Sequence, residues 1–161
     1  MEPEWLDERE YAAWLRLIAV VELLPGVLDT QLRRDAGLSH FDYLVLAMLS
    51  EAPDRTLRMS ALAGRTSSTL PRLSHVVGRL EGRGLVERRP ALEDRRATYA
   101  VLTDEGWAKV VATAPGHLDA VRHHVIDALS GDQLDQLRDI SEALLQRIDP
   151  EGERTANYRP S

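Results

Sequence analysis

Arginine dominates the chemically capable side chains of this sequence. Nine arginines fall within residues 57–103 against four acids, Glu81, Glu87, Glu93 and Asp94, so this segment carries +5 in a chain whose net charge is −6. The remainder therefore carries −11. A cationic patch on an acidic body is suited to displacing counterions from a polyanion while the rest of the molecule stays clear of it. Covalent chemistry lacks its constellations. Ser74 and His75 are adjacent rather than facing, no glycine-rich phosphate loop is present, and no pair of carboxylates has a cleft signature, so no enzymatic activity is expected. With no cysteine there is no disulfide, thiolate zinc site or thiol-based peroxide sensing. His117 and His124 fall two helical turns apart, and Asp119 with His123 is a ligand-type pair at i, i+4 spacing. These histidines read as surface or interface residues; neither a metal nor a cofactor is expected.

The elements that must position the arginines follow one another without interruption. Ser60 is placed to cap a short helix through Ala61, Leu62 and Ala63, and Gly64-Arg65-Thr66 supplies a tight turn. Ser67 or Ser68 then caps a second helix with Pro71 in its first turn and Leu70, Leu73, Val76, Val77 and Leu80 facing inward. Its other face presents Ser67, Ser68, Thr69, Arg72, His75 and Arg79, donors and cations of a length that meets base edges and phosphates. Gly82 and Gly84 end the helix, Leu85–Arg89 reads as a strand stopped by Pro90, and Ala97–Leu102 is the returning strand. Glu93-Asp94-Arg95-Arg96 forms the tip between them. Thr103-Asp104-Glu105-Gly106 then caps another helix. The order predicts a winged helix-turn-helix: the second helix for a major groove, and Arg96 on the tip for a minor groove, with Asp94 holding the Arg96 guanidinium and Arg95 meeting phosphate. The bland reading of Arg72 and Arg79 is surface ion pairing.

The chain resembles the multiple-antibiotic-resistance regulator (MarR) family of bacterial transcription factors. The resemblance rests on Arg79-Leu80-Glu81, Gly84-Leu85-Val86-Glu87-Arg88, Asp94-Arg95-Arg96, Leu102-Thr103 and Gly106, with Asp94 and Arg96 as the Asp-x-Arg pair of the family's wing. Ala100 departs from the pattern, where the family has a larger aliphatic residue. The resemblance implies a homodimer formed by interleaved N- and C-terminal helices, a double-stranded DNA partner, and repression by occupying a near-palindromic site. It also implies a small aromatic or phenolic ligand in a cleft between the dimer helices and the DNA-reading lobe. Trp14, His40, Tyr43 and Trp107 are the residues that could line such a cleft, ordinary packing being the alternative.

The expected fold is mainly α with a small β-hairpin wing, as one domain over residues 1–149. The DNA-binding lobe covers about 40–103, and the dimerisation helices about 5–34 and 104–148. The first of these is expected to break near Pro25-Gly26 and the second at Pro115-Gly116. A helix over Phe41–Leu49 is capped by Ser39, and Ser130–Gln133 has the spacing of a capping box ahead of the stripe Leu134, Leu137, Ile140, Leu144, Leu145 and Ile148. Residues 150–161 read as a disordered polar tail. No apolar run is expected to reach the length of a membrane span, and the acidic N-terminus is unlike a signal peptide, so a cytoplasmic protein without a membrane partner is expected. The rival function is a winged-helix module used only for protein–protein assembly, since fold alone does not dictate DNA binding.

Overall fold

The computed structural model describes residues 3–152 and 154–155. Helix α1 (Glu8–Ala36) opens with a capping box between Asp7 and Glu10 and closes at Gly37, whose φ of 65° is a left-handed conformation natural to glycine. The expected break at Pro25 does not occur. A proline removes one backbone donor, yet its fixed φ suits a helix, and the distal half is held by burial of Leu28, Gln31 and Leu32 against the next helices. α2 (His40–Ser50) begins at Ser39, which shares a capping box with Asp42.

A short strand, β1 (Thr56–Arg58), then joins the sheet, which therefore has three strands rather than the two of the expected hairpin. α3 (Met59–Arg65) and α4 (Leu70–Gly82) form the helix-turn-helix. Their caps differ from expectation. Ser60 lies inside α3, Gly64 is helical, and the tight turn comes later, with Ser67 at φ 49°. Neither Ser67 nor Ser68 caps α4; Thr69 does, accepting from the Arg72 N–H. Leu73, Val76, Val77 and Leu80 are buried as expected, whereas Leu70, at the first position of α4, is 49% exposed.

β2 (Val86–Pro90) and β3 (Thr98–Leu102) pair antiparallel, and β3 lies between β2 and β1. Ala100 is fully buried at the centre of the sheet, opposite Leu57 on one side and Arg88 on the other. α5 (Asp104–His124) runs straight through Pro115, again without the expected interruption. Thr103 caps it and also donates to the Gly84 carbonyl, so the wing base and α5 are joined at one residue. Gly106 sits against that joint: a Cβ there would lie 2.1 Å from the Leu85 carbonyl oxygen. α6 (Gly131–Ile148) starts at the expected capping box of Ser130 and Gln133.

The core lies between α2, α3, α4 and the sheet, where Val45, Leu46, Leu49, Leu62, Leu73, Val77 and Leu80 are closed off from solvent. The long helices outside it are different. Val20 and Leu23 on α1, and Ile140 and Ile148 on α6, are all more than half exposed, and α6 has no buried residue. α1 also contains an 18-residue window of mean hydropathy 1.6, long and apolar enough by length and composition to cross a bilayer. This corrects the expectation that no run reaches that length. Of the expected tail, residues 153 and 156–161 lie outside the described residues; just before them, Asp149 accepts hydrogen bonds from the backbone of Arg154 and Thr155 and from the Thr155 hydroxyl.

Candidate nucleic-acid interface

α4 and the wing border one groove of about 340 Å³, lined on the helix side by Leu70 and Ser74 and on the wing side by Asp94, Arg96 and Thr98, with Arg58 and Arg88 also on its lining. On α4, Thr69, Arg72, His75 and Arg79 are exposed, as is Ser67 before it; Ser68 is half-buried. The arrangement arises from periodicity. Leu73, Val76, Val77 and Leu80 turn one stripe of the helix into the core, which leaves the polar positions on the opposite side.

The wing is tethered at its tip. Glu93 accepts from the Tyr99 hydroxyl at 2.5 Å and from Arg58 Nη2 at 3.2 Å. These contacts, the tyrosine first, pull the Glu93 carboxyl down to a pKa of about 2. Asp94 accepts from the backbone N–H of Arg96 at 3.0 Å, and its carbonyl accepts from the Ala97 N–H. The expected role of Asp94 is thus altered: it shapes the turn through the backbone, and no bond to the Arg96 guanidinium forms. Among the described residues, Arg65, Arg95 and Arg96 have no side-chain hydrogen bond or ion pair. Their guanidinium groups remain available for an external anion.

Other arginines are engaged. Arg88 is clamped by Glu81, which also accepts from the Arg88 N–H, and Arg89 pairs with Glu87. Arg79 donates to the buried carboxylate of Asp42 on α2. Arg72 lies 4.4 Å over the Phe41 ring, and Arg83 donates to the Gly37 carbonyl at 3.1 Å. The ion-paired reading therefore describes Arg79, while Arg72 is an exposed residue whose guanidinium stacks on Phe41. Arg58, Glu93, Tyr99 and Asp42 were not among the expected site residues. Their partners lie between six and 41 residues away, and no local pattern announces such a pairing.

The four expected ligand-cleft residues do not converge. His40 and Tyr43 meet at the junction of α1, α2 and α5, but the ring between them is His117, 4.6 Å from Tyr43 and 6.5 Å from His40. Trp14 lies fifteen residues before Asp29, which accepts from the His40 N–H, hence about 22 Å up the helix axis. Trp107 precedes His117 by ten residues, about 15 Å, and is covered by the Arg55 guanidinium at 4.3 Å. Burial pushes the pKa of His40 and of His117 below the ordinary value; for His40 the nearby Asp29 opposes that, and for His117 the neighbouring His40 adds to it. Gln31 Oε1, His40 Nδ1 and His117 Nδ1 are buried without a hydrogen-bond partner among the described residues. His123 and His124 stack edge to face on each other, and among the described residues no three acidic or histidine side chains gather at metal-holding distance.

Comparisons with known proteins converge on one group. The sequence pattern that defines the MarR family matches residues 36–97. The chain is similar to Sco3205, a MarR family transcriptional regulator from Streptomyces coelicolor solved in complex with DNA, with 44% identity and a TM-score of 0.87 over 92% of this chain and 93% of that one. It is also similar to AbsC, a MarR family transcriptional regulator from the same organism, with 36% identity and a TM-score of 0.85 over 91% and 98% of the two chains. The transcriptional repressor MprA of Escherichia coli K12 is 28% identical over 113 residues, 70% of this chain; the match spans 64% of that repressor's length.

Proposed function

The chain belongs to the MarR family of transcriptional regulators, and we propose that it acts in the cytoplasm as a homodimeric repressor that occupies a near-palindromic DNA site. The observation that carries this reading is the groove shared by α4 and the wing, in which an exposed helix face and an unpaired Arg96 stand side by side. On the exposed face of α4 beside this groove, Ser67, Ser68, Thr69, Arg72 and His75 meet the major groove and its flanking phosphates; on the wing, Arg95 meets phosphate and Arg96 enters a minor groove. Backbone shaping by Asp94 presents both wing arginines. Residues 40–103 form the reading lobe. The exposed apolar faces of α1 and α6, together with the α1 groove lined by Leu23, Val27 and Leu129, are the surfaces that a second copy covers. A two-fold dimer sets the reading helices one DNA turn apart, roughly 34–36 Å.

We further assign effector binding to the α1–α2–α5 junction. There the unpaired Gln31 Oε1, His40 Nδ1 and His117 Nδ1 and the Tyr43 ring suit a small aromatic molecule carrying hydrogen-bonding groups. An effector that binds more tightly to a dimer with misplaced reading helices lowers DNA affinity by linkage. Selection of bound sequences from random duplexes tests the reading. A two-fold related motif whose affinity falls steeply with salt supports it, whereas enrichment of no sequence and indifference to salt favours an assembly module.

A further inference from the structure

Helix α4 is tied to the body on its polar side as well as through its core. Asp42, at the third position of α2, is 4% exposed; one carboxylate oxygen accepts from the Ser39 N–H at 2.9 Å and the other from Arg79 Nη2. Ser39 returns the bond, accepting from the Asp42 N–H at 2.9 Å. The carboxylate that begins α2 is therefore the one that holds α4. Two further arginines turn the same way, Arg72 of α4 onto Phe41 of α2 and Arg83, just past the end of α4, onto the carbonyl that ends α1.

Resting on the DNA-binding reading above, we propose that Asp42 is a positioning residue for DNA recognition: through Arg79 it fixes the angle of α4 against α2, and Arg79 is a pin rather than a reader of DNA. A buried carboxylate that loses its cationic partner is strongly disfavoured, so the pair holds one geometry. Hydrophobic packing alone leaves a helix some freedom to roll, because apolar contacts are non-directional, whereas a charge-assisted hydrogen bond from the polar side restricts it. Asp42 itself is shielded from any duplex by its burial. Its influence on affinity passes through the aim of Thr69, Arg72 and His75.

A double-mutant cycle with Asp42→Asn and Arg79→Gln in the full chain, titrated against a selected duplex at several salt concentrations, tests the proposal. Each single variant should lose about tenfold in affinity, the double variant no more than either single, and the slope of log affinity against log salt should stay at the wild-type value. Ala52→Gly, a core substitution beyond the end of α2 opposite Asp42, should leave affinity unchanged, separating aim from general stability. If Arg79 instead contacts phosphate, Arg79→Gln reduces the slope by about 0.9 and costs the same with or without Asp42; that result overturns the proposal, as does an Arg79→Gln protein that binds like wild type. Should Asp42→Asn fail to fold, the salt slope of Arg79→Gln alone decides. Failure of the wild-type protein to bind duplex would overturn the DNA-binding reading instead.

Discussion

Arg96 has no partner of its own, yet the loop that carries it is held at Glu93 by Tyr99 and Arg58 and turned at Asp94, so a free guanidinium stands on an ordered support. Little conformational freedom is then lost when it enters a groove. Arg96→Ala should weaken binding of a selected duplex by about 1–3 kcal/mol, measured by fluorescence anisotropy, with the largest effect on sites whose flanks are A·T-rich; an equal loss on every flank would place Arg96 on phosphate. His40 and His117 carry a different consequence. Burial lowers both pKa values below the ordinary 6.5, so the unfolded chain takes up these protons before the folded one does. Their contribution to stability is complete above about pH 6.5 and is lost as the pH falls below it, levelling once the folded-state values are passed. The thermal midpoint should therefore drop between pH 7.5 and 5.5, and less so in a His40→Gln, His117→Gln protein. A midpoint equally pH-dependent in both would remove the pair from the account.

Gly106 is where the wing meets α5. A methyl group there would press on the Leu85 carbonyl oxygen at 2.1 Å and on Leu102 at 2.6 Å, and backbone gives way less readily than a side chain tip. Gly106→Ala should destabilise the protein by about 1–3 kcal/mol in a urea titration, with loss of DNA affinity following loss of fold; a neutral effect would mean that α5 is free to move off the sheet. The same joint shows what a sequence reveals about elements. Leu102-Thr103 and Gly106 are recognisable as a pattern because each meets a local demand, a cap and a close approach. Ser39, Ser130 and the α4 stripe were legible for similar reasons, since caps and periodicity act within a few residues. β1 was not legible, because three residues gain strand geometry only by pairing with β3, more than 40 positions away. Nor was the continuity of α1 and α5 through their prolines, which depends on what each helix packs against. At the site, the exposed face of α4 was readable from its period. The division of labour among its arginines was not, because Asp42 reaches Arg79 only in the fold.

On the scale of the whole molecule, charge and apolar surface are segregated. Residues 57–103 hold the positive charge, the remainder holds the negative, and the long terminal helices expose Val20, Leu23, Ile140 and Ile148 to solvent in a single copy. Apolar surface of that extent calls for cover, and in the proposed dimer two copies provide it for each other. Sedimentation at micromolar concentration should give twice the 18.0 kDa chain mass, and Leu23→Glu should shift the protein toward monomer while leaving its circular dichroism helical; an 18.0 kDa species at tens of micromolar would contradict the dimer. The proposed dimer would also place two cationic lobes on one duplex, which is what a steep ionic-strength dependence would report. The most direct measurement is the affinity of the pure protein for a selected two-fold related duplex as salt is raised. Two chains per duplex are expected, with a linear fall of log affinity with log salt whose slope is about −0.9 for each phosphate neutralised. Failure to retain any double-stranded oligonucleotide at low ionic strength would contradict the DNA-binding reading.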